Sequence, residues 1–219
     1  PRQKAAPKIP VGRKPFKFPT DTRPLSERHK QYLRKRNFDP DKLEAEWGLM
    51  STGPASQLSK ADYRHRIVIP IYWNGKIVSF QARDVTGKSD VKYKACPKER
   101  ERLHHQEILY GQELPRNSKG TGLCVEGVTD VWRLGPSAFA VFGIEFTVKQ
   151  ARNIKKSFDR VAVVFDDDPQ AIKQADKLVS ELRFRGVRAW RITIKGDPAD
   201  LSDDEANQLI KEVRRHGNV

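Results

Sequence analysis

Three short acidic clusters punctuate the C-terminal half of the chain. They are Glu126 and Asp130 in Glu-Gly-Val-Thr-Asp, Asp166, Asp167 and Asp168 after Val164-Phe165, and Asp197 in Gly-Asp-Pro. The whole chain carries a formal net charge of +14, so gathered carboxylates run against its composition. Carboxylate oxygens are hard ligands, and one or two of them with water and phosphate oxygens complete the octahedron of Mg²⁺. Side by side and partly buried, such groups repel one another unless cations compensate. Two cations held there could activate an attacking hydroxyl and stabilise a leaving phosphate oxygen. Singly, Asp168 also reads as a helix N-cap, Asp197 as a turn initiator before Pro198 and Asp167 as a solvated neighbour. Glu126 and Asp166, however, end apolar runs where no cap is needed, and the joint pattern favours the metal chemistry.

The elements around these acids alternate. Leu123–Val125, Ala138–Val141, Val161–Phe165 and Val187–Ile194 are short apolar runs of the kind found in buried strands. Helical patterns near 128–134, 147–157, 169–185 and 203–215 separate them, which predicts a mainly parallel sheet with helices on its faces. Asp168-Pro169 pairs an N-cap with proline at the first helical position, so a helix starts where the third strand ends. Ligands of open α/β sheets bind beyond the carboxyl ends of the strands, where Glu126, Asp166, Asp168 and Asp197 fall.

The first half has another texture. Residues 1–24 hold six prolines, several basic residues and no periodicity, and read as an extended arm. Ser26 caps a predicted helix to about Lys35, and Asp39-Pro40 opens a second that ends near Gly48. Residues 51–62 read as a polar loop. Arg66–Trp73 and Ile77–Arg83 form a predicted hairpin about Asn74-Gly75, with a further short strand at Tyr93. The predicted fold is therefore an α+β basic subdomain over 25–115 followed by an α/β, Rossmann-like subdomain over 116–219.

Charge follows the same division. Residues 1–110 hold 24 Lys and Arg against 12 Asp and Glu, whereas 111–219 hold 18 against 16. A net of +12 in one half is the electrostatic footprint of a part that grips a polyanion. No apolar stretch nears the roughly 20 residues of a membrane span, and no apolar segment follows the basic N-terminus as in a secretion signal. Cys96 and Cys124 lack CxxC spacing, so neither a zinc knuckle nor a disulfide framework is readable, and a reducing, cytoplasmic location is expected. His104 and His105 read as surface histidines rather than metal ligands. Gly87-Lys88-Ser89 ends like a P-loop, but Ala82 stands where its first glycine is required. All five tyrosines precede the acidic half, and none is marked as a nucleophile. The four tryptophans lie in apolar patterns and read as core. The chain begins at Pro1 rather than Met, as expected of a piece of a longer protein.

The Glu-Gly-x-x-Asp, Asp-x-Asp and Gly-Asp-Pro elements, in this order on alternating strands, resemble the Toprim domain shared by bacterial primases, topoisomerases and some nucleases. Tyr32-Leu33-Arg34-Lys35-Arg36, Arg66–Ile71, Ser79–Arg83, Lys92-Tyr93 and Leu109-Tyr110-Gly111 resemble the polymerase core of bacterial and phage DNA primases. The resemblance covers roughly residues 25–215. It implies metal-binding acids at Glu126, Asp130, Asp166, Asp168 and Asp197, with Glu126, Asp166 and Asp168 catalytic, and two Mg²⁺ or Mn²⁺ ions. It implies template and nucleotide contacts at Arg36, Arg66, Arg83 and Lys92, to which Arg34, Arg64 and Lys94 are added as groove-lining neighbours and Tyr93, flanked by Lys92 and Lys94, as the candidate for stacking or phosphate-edge contact. Asn37 stands where the family usually has glycine, and His105 where it usually has lysine. The implied activity is synthesis of short RNA primers on single-stranded DNA from ribonucleoside triphosphates. A replicative helicase and a zinc-binding domain would be partners outside this chain, which itself would carry no zinc site. A metal-dependent nuclease and a non-catalytic single-strand-binding module are the alternatives.

Overall fold

The computed structural model describes residues 14–112 and 120–218. Residues 1–13 of the expected arm and the expected boundary at 115/116 lie outside the described residues. In the first half, β1 (Thr22–Arg23) precedes α1 (Glu27–Arg34) and α2 (Pro40–Trp47). There follow β2 (Met50–Thr52), β3 (Gln57–Leu58), β4 (Ala61–Asp62), β5 (Arg66–Trp73), β6 (Lys76–Asp84) and β7 (Tyr93–Ala95). The antiparallel sheet has the order β1-β2-β5-β6-β7, and β3 and β4 form a separate hairpin. Asn74 and Gly75 sit at φ of 50° and 69°, the left-handed pair that a two-residue turn between twisted strands requires. The Asp39 carboxylate accepts from the Asp41 and Lys42 N–H groups, and Gly48 ends α2 in the left-handed conformation.

Two expectations fail here. Residues 51–62 are not a loop: they contain the end of β2 and the β3–β4 hairpin. Their polarity hides this, because the hydroxyls are satisfied internally. Ser51 donates to Pro24 O and Thr52 to Tyr63 O, and both residues are buried. Residues 14–24 are not free of the folded body either. The Lys14 N–H donates to Glu99 O, and Phe16 and Phe18 pack against Phe80 with ring centroids 6.4 and 5.9 Å away.

The second half reads β8 (Thr121–Val125), α3 (Val128–Leu134), β9 (Ala138–Ala140), α4 (Val148–Ser157), β10 (Arg160–Val163), α5 (Pro169–Phe184), β11 (Arg188–Arg191) and α6 (Asp203–Asn218). Its sheet has the order β11-β10-β8-β9, and every pairing is parallel. Crossover helices cover both faces, which is why the strands are continuous apolar runs rather than alternating ones. One face packs Cys124, Phe139, Val161 and Val163 against α4 and α5. The other contributes Leu123, Val125 and Val164 to a core that also holds Leu33, Trp47, Ile67, Ile69 and Ile71 of the first half. One apolar core therefore joins both subdomains. No helix among the described residues is long and apolar enough to cross a membrane.

Gly122 in β8 shows how tightly the parallel sheet is packed. A Cβ at that position would lie 2.5 Å from the Phe158 ring and 2.8 Å from Phe139, two rings stacked 4.6 Å apart. Gly122→Ala should destabilise the chain by about 2 kcal/mol through overpacking, read as a lower urea midpoint at unchanged slope.

Candidate active site

The acids gather at the carboxyl ends of β8 and β10 and in the turn after β11. The Asp166 N–H donates to Glu126 Oε1 (2.9 Å), so adjacent parallel strands fix this carboxylate directly. The Asp130 Oδ2 accepts from the Gly127 N–H (2.8 Å) at the start of α3, which turns it back towards Glu126. Asp168 Oδ1 accepts from the Gln170 and Ala171 N–H groups as the cap of α5. Asp197 Oδ1 accepts from the Ala199 N–H in the 3-10 turn Pro198–Asp200. The capping roles and the gathering thus coexist: each cap holds one oxygen and orients the other.

Electrostatics tie these groups into one crevice. Burial pushes the Glu126 carboxyl up to about 7, and the charges of Asp166, Asp168 and Asp197 push the same way. Asp130 is raised to about 8, chiefly by burial and then by Asp197, Asp166 and Glu126. Asp166 is raised to about 6 by burial and by Asp197, Asp168 and Asp167, with Lys92 opposing. Like charges accumulated in partial burial are what a hard divalent cation relieves, and the all-oxygen donor set suits Mg²⁺ or Mn²⁺. Glu126, Asp130, Asp166, Asp168 and Asp197 are the residues that could hold it.

These shifts have a sign. An acid whose folded pKa exceeds its unfolded value gives the folded state extra protons, so stability falls as pH rises through the folded pKa. Between about pH 6 and pH 9 in EDTA, the melting temperature should therefore fall. His29, held down at about 4 by burial, is neutral in both states above its ordinary 6.5 and contributes nothing to that slope at the alkaline end. Asp130→Asn keeps an oxygen for the Gly127 N–H and loses the charge. It should melt about 3 °C or more above the wild type at pH 8.5, with a shallower decline.

The basic residues divide. Arg83 is buried beside the crevice, its Nε donating to the Tyr32 hydroxyl (2.6 Å) and its Nη1 to the Tyr93 hydroxyl. Its guanidinium lies 4.9 Å from the Tyr93 ring centroid and 5.6 Å from that of Tyr32. The Tyr93 hydroxyl also meets Thr129, next to Asp130, so Arg83, Tyr93 and Thr129 form a polar chain from the first sheet to α3. Tyr93 is thereby engaged within the protein rather than presented as a free stacking ring. Arg36 pairs with Asp200 at 2.9 Å, and its Nη1 is buried with no hydrogen-bond partner among the described residues. Lys92 is exposed and its charge reaches Asp166.

Others lie apart. Arg66 is only 4 % exposed and donates to Ala82 O, Val91 O and Ser89 Oγ, so it ties down the loop before β7 rather than lining a groove. An arginine inside an apolar strand must find acceptors, and two carbonyls and a hydroxyl supply them here. Arg64 pairs with Asp62 at 2.8 Å, and Lys94 donates to Asp62 O over the Tyr63 ring. Arg34 pairs with Glu27 on the exposed side of α1.

Sequence reasoning missed Tyr32, Thr129 and Arg133. Arg133 donates to Arg36 O, Asn37 O and Ala199 O, pairs with Asp203 at 2.7 Å, and stacks on Phe38. It bolts the α1–α2 turn to the turn that carries Asp197. Asn37 occupies that junction at φ 57°, a left-handed conformation that asparagine tolerates. His104 and His105 are also misread as surface residues. Both are half-buried against Glu101.

An antiparallel α+β unit is thus followed by a parallel α/β unit with acids at its strand ends. Residues 19–115 match the family model for the DNA primase catalytic core, N-terminal domain. The fold of the whole is similar to the Aquifex aeolicus primase (zinc binding and RNA polymerase domains), at 21 % identity and a TM-score of 0.74. That match covers 87 % of this chain, which spans 56 % of the Aquifex chain. It is similar to a DnaG primase catalytic domain bound to ssDNA at 18 % identity and TM-score 0.71, covering 89 % of this chain and 73 % of that one. The primase fragment of the bacteriophage T7 primase-helicase protein matches at 15 % identity and TM-score 0.61, covering 95 % and 82 %. Curated protein sequences give no match.

Proposed function

We propose that the chain is the catalytic core of a DNA primase, joining ribonucleotides into short primers on a single-stranded DNA template. The observation that carries this reading is the juxtaposition of the acidic crevice with Arg83, Lys92 and Arg36 of a primase-type N-terminal domain. Divalent cations on Glu126, Asp130, Asp166, Asp168 and Asp197 would neutralise phosphate charge and lower the barrier to attack by a 3′-hydroxyl on an α-phosphate. The protein's own share is positioning. Glu126 is oriented by the Asp166 N–H, Asp168 and Asp197 by the N–H groups they cap, and none needs to reorganise as charge develops. Lys92, exposed beside Asp166, and the Arg36 guanidinium, whose Nη1 has no acceptor among the described residues, would meet phosphate oxygens of nucleotide or template. Further contacts by Arg34, Arg64 and Lys94 would be sequence-independent and weaken as salt rises.

Incubation of the chain with single-stranded DNA, labelled ribonucleoside triphosphates and Mg²⁺ or Mn²⁺ tests the proposal. Short RNA products dependent on ribonucleotides support it. Cleaved template in their place would assign the same acids to a nuclease, and DNA retention without product would leave a binding module.

A further inference from the structure

The strap from Glu101 to Tyr110 carries the chain from the first sheet to the second subdomain. Its start is fixed to β6: the Arg102 N–H donates to Val78 O (2.8 Å) and the Ser79 hydroxyl to Glu101 Oε1 (2.6 Å). Its remainder is fixed to the second subdomain. Thr147 Oγ1 donates to Gln106 O, Asn153 Nδ2 to Glu107 O, and Gln150 Nε2 to Ile108 O. Tyr110 exchanges two backbone hydrogen bonds with Ala140, each 3.0 Å.

On this strap three side chains converge. His104 Nδ1 lies 2.7 Å from Glu101 Oε2, and His105 Nδ1 lies 2.8 Å from Glu101 Oε1. The Glu101 side chain is 1 % exposed, whereas the two imidazoles are 24 % and 13 % exposed and so give a path from solvent. Their ligand atoms all lie within 4.8 Å of one another, the sole such set of three among the described residues. The acids of the crevice do not close to this degree. The chemistry differs as well: two imidazole nitrogens and one carboxylate suit Zn²⁺, while the crevice is all oxygen and suits Mg²⁺. The Ser79 hydroxyl adds an outer hydrogen bond that orients the carboxylate, as partners behind metal ligands do.

We propose that Glu101, His104 and His105 form a second cation site, of zinc type and separate from the acidic crevice, which clamps the strap joining the two subdomains. The site borders the crevice without sharing a ligand with it. The Phe142 ring packs edge-on against His105 at 5.5 Å, and the next residue, Gly143, donates its N–H to Glu126 O. In the metal-free arrangement each Nδ1 donates a proton to Glu101, because an ionised carboxylate only accepts. A bound cation takes the place of those protons: each neutral imidazole gives up its Nδ1 proton and takes one up at Nε2 by exchange with solvent, so it remains neutral and offers the Nδ1 lone pair to the metal. The nitrogen–oxygen separations then widen to about 3.3 Å to suit tetrahedral bonds of roughly 2.0–2.1 Å. Rotation of the partly exposed imidazoles supplies this opening, and a fourth position is left for water.

Titration of the intact chain with Co²⁺, followed by visible absorption, tests the site apart from any catalytic assay. One equivalent should give the intense d–d bands of four-coordinate cobalt, be displaced by Zn²⁺, and persist in excess Mg²⁺. His104→Ala and His105→Ala should weaken it by about tenfold to a hundredfold or more, whereas Asp166→Asn should leave it unchanged. His104→Gln can still donate to Glu101 and guards against misfolding; it should melt like the wild type in EDTA yet lose the cobalt bands. Equal cobalt affinity in this folded variant, or loss of the bands in Asp166→Asn, would overturn the proposal and leave Glu101 as a carboxylate hydrogen-bonded to two imidazoles.

Discussion

Asp166→Asn should reduce primer synthesis by about 10²–10³-fold or more while raising the melting temperature of the metal-free chain at pH 8. The two readouts move in opposite directions for one physical reason. Asp166 sits beside Glu126, and burial with the charges of Asp197, Asp168 and Asp167 raises its carboxyl to about 6. Removing its charge relieves that repulsion in the absence of metal. On the proposed function the same change would also remove a ligand of the divalent cation, whose charge would stabilise the reacting phosphate. The backbone bond from Asp166 N–H to Glu126 does not involve the mutated group, so the neighbouring carboxylate keeps its place. Added Mg²⁺ should raise the melting temperature of the wild type more than that of the variant. Undiminished primer synthesis by folded Asp166→Asn would remove this residue from the catalytic set.

Arg133→Ala should lower stability by about 3 kcal/mol, or roughly 6–10 °C in melting temperature. The Arg133 side chain is 5 % exposed, and its guanidinium joins Arg36 O and Asn37 O on one side to Ala199 O and Asp203 on the other. Truncation takes this donor from the Arg36, Asn37 and Ala199 carbonyls and strips a cation from the Phe38 face, 4.4 Å away. Arg133→Lys should recover less than half of the loss, since one ammonium cannot reproduce the planar fork. The turn bearing Asp197 loses its tie to the first subdomain, so the metal concentration needed for half-maximal activity should rise as well. Urea unfolding and a Mg²⁺ titration read the two effects separately. A variant as stable as the wild type would show that the shared apolar core alone holds the subdomains together.

Much of this molecule was legible because it is written locally. Asn74-Gly75 between two apolar runs predicts the β5–β6 hairpin, and both residues are left-handed as that turn demands. Asp39-Pro40 and Asp168-Pro169 predict the starts of α2 and α5, and both carboxylates accept from the first helical N–H groups. The alternation of buried runs and helical patterns after Gly120 predicts a parallel sheet, and all its pairings are parallel. Where strand signals were weak, they were lost: Ser51 and Thr52 are polar, yet their hydroxyls bond inside the sheet and the segment is strand.

The basic residues show the limit. Arg66, Arg83, Arg64 and Lys94 look equivalent as members of one cationic half, and their local patterns do not separate them. Arg66 is consumed by Ala82 O, Val91 O and Ser89, Arg64 and Lys94 by Asp62, while Arg83 reaches the crevice through Tyr32 and Tyr93. Likewise, His104 and His105 converge only because Glu101 is buried between them and Ser79.

By itself, the sequence determined the elements, their order and the placing of five acids at strand ends and turns, since periodicity, caps and turn residues act over a few positions. Only the tertiary structure decided which of the many cations stands beside those acids and which is spent on a carbonyl. A charged side chain's environment is set by partners distant in sequence, and burial of a polar group is tolerated only where such partners meet it.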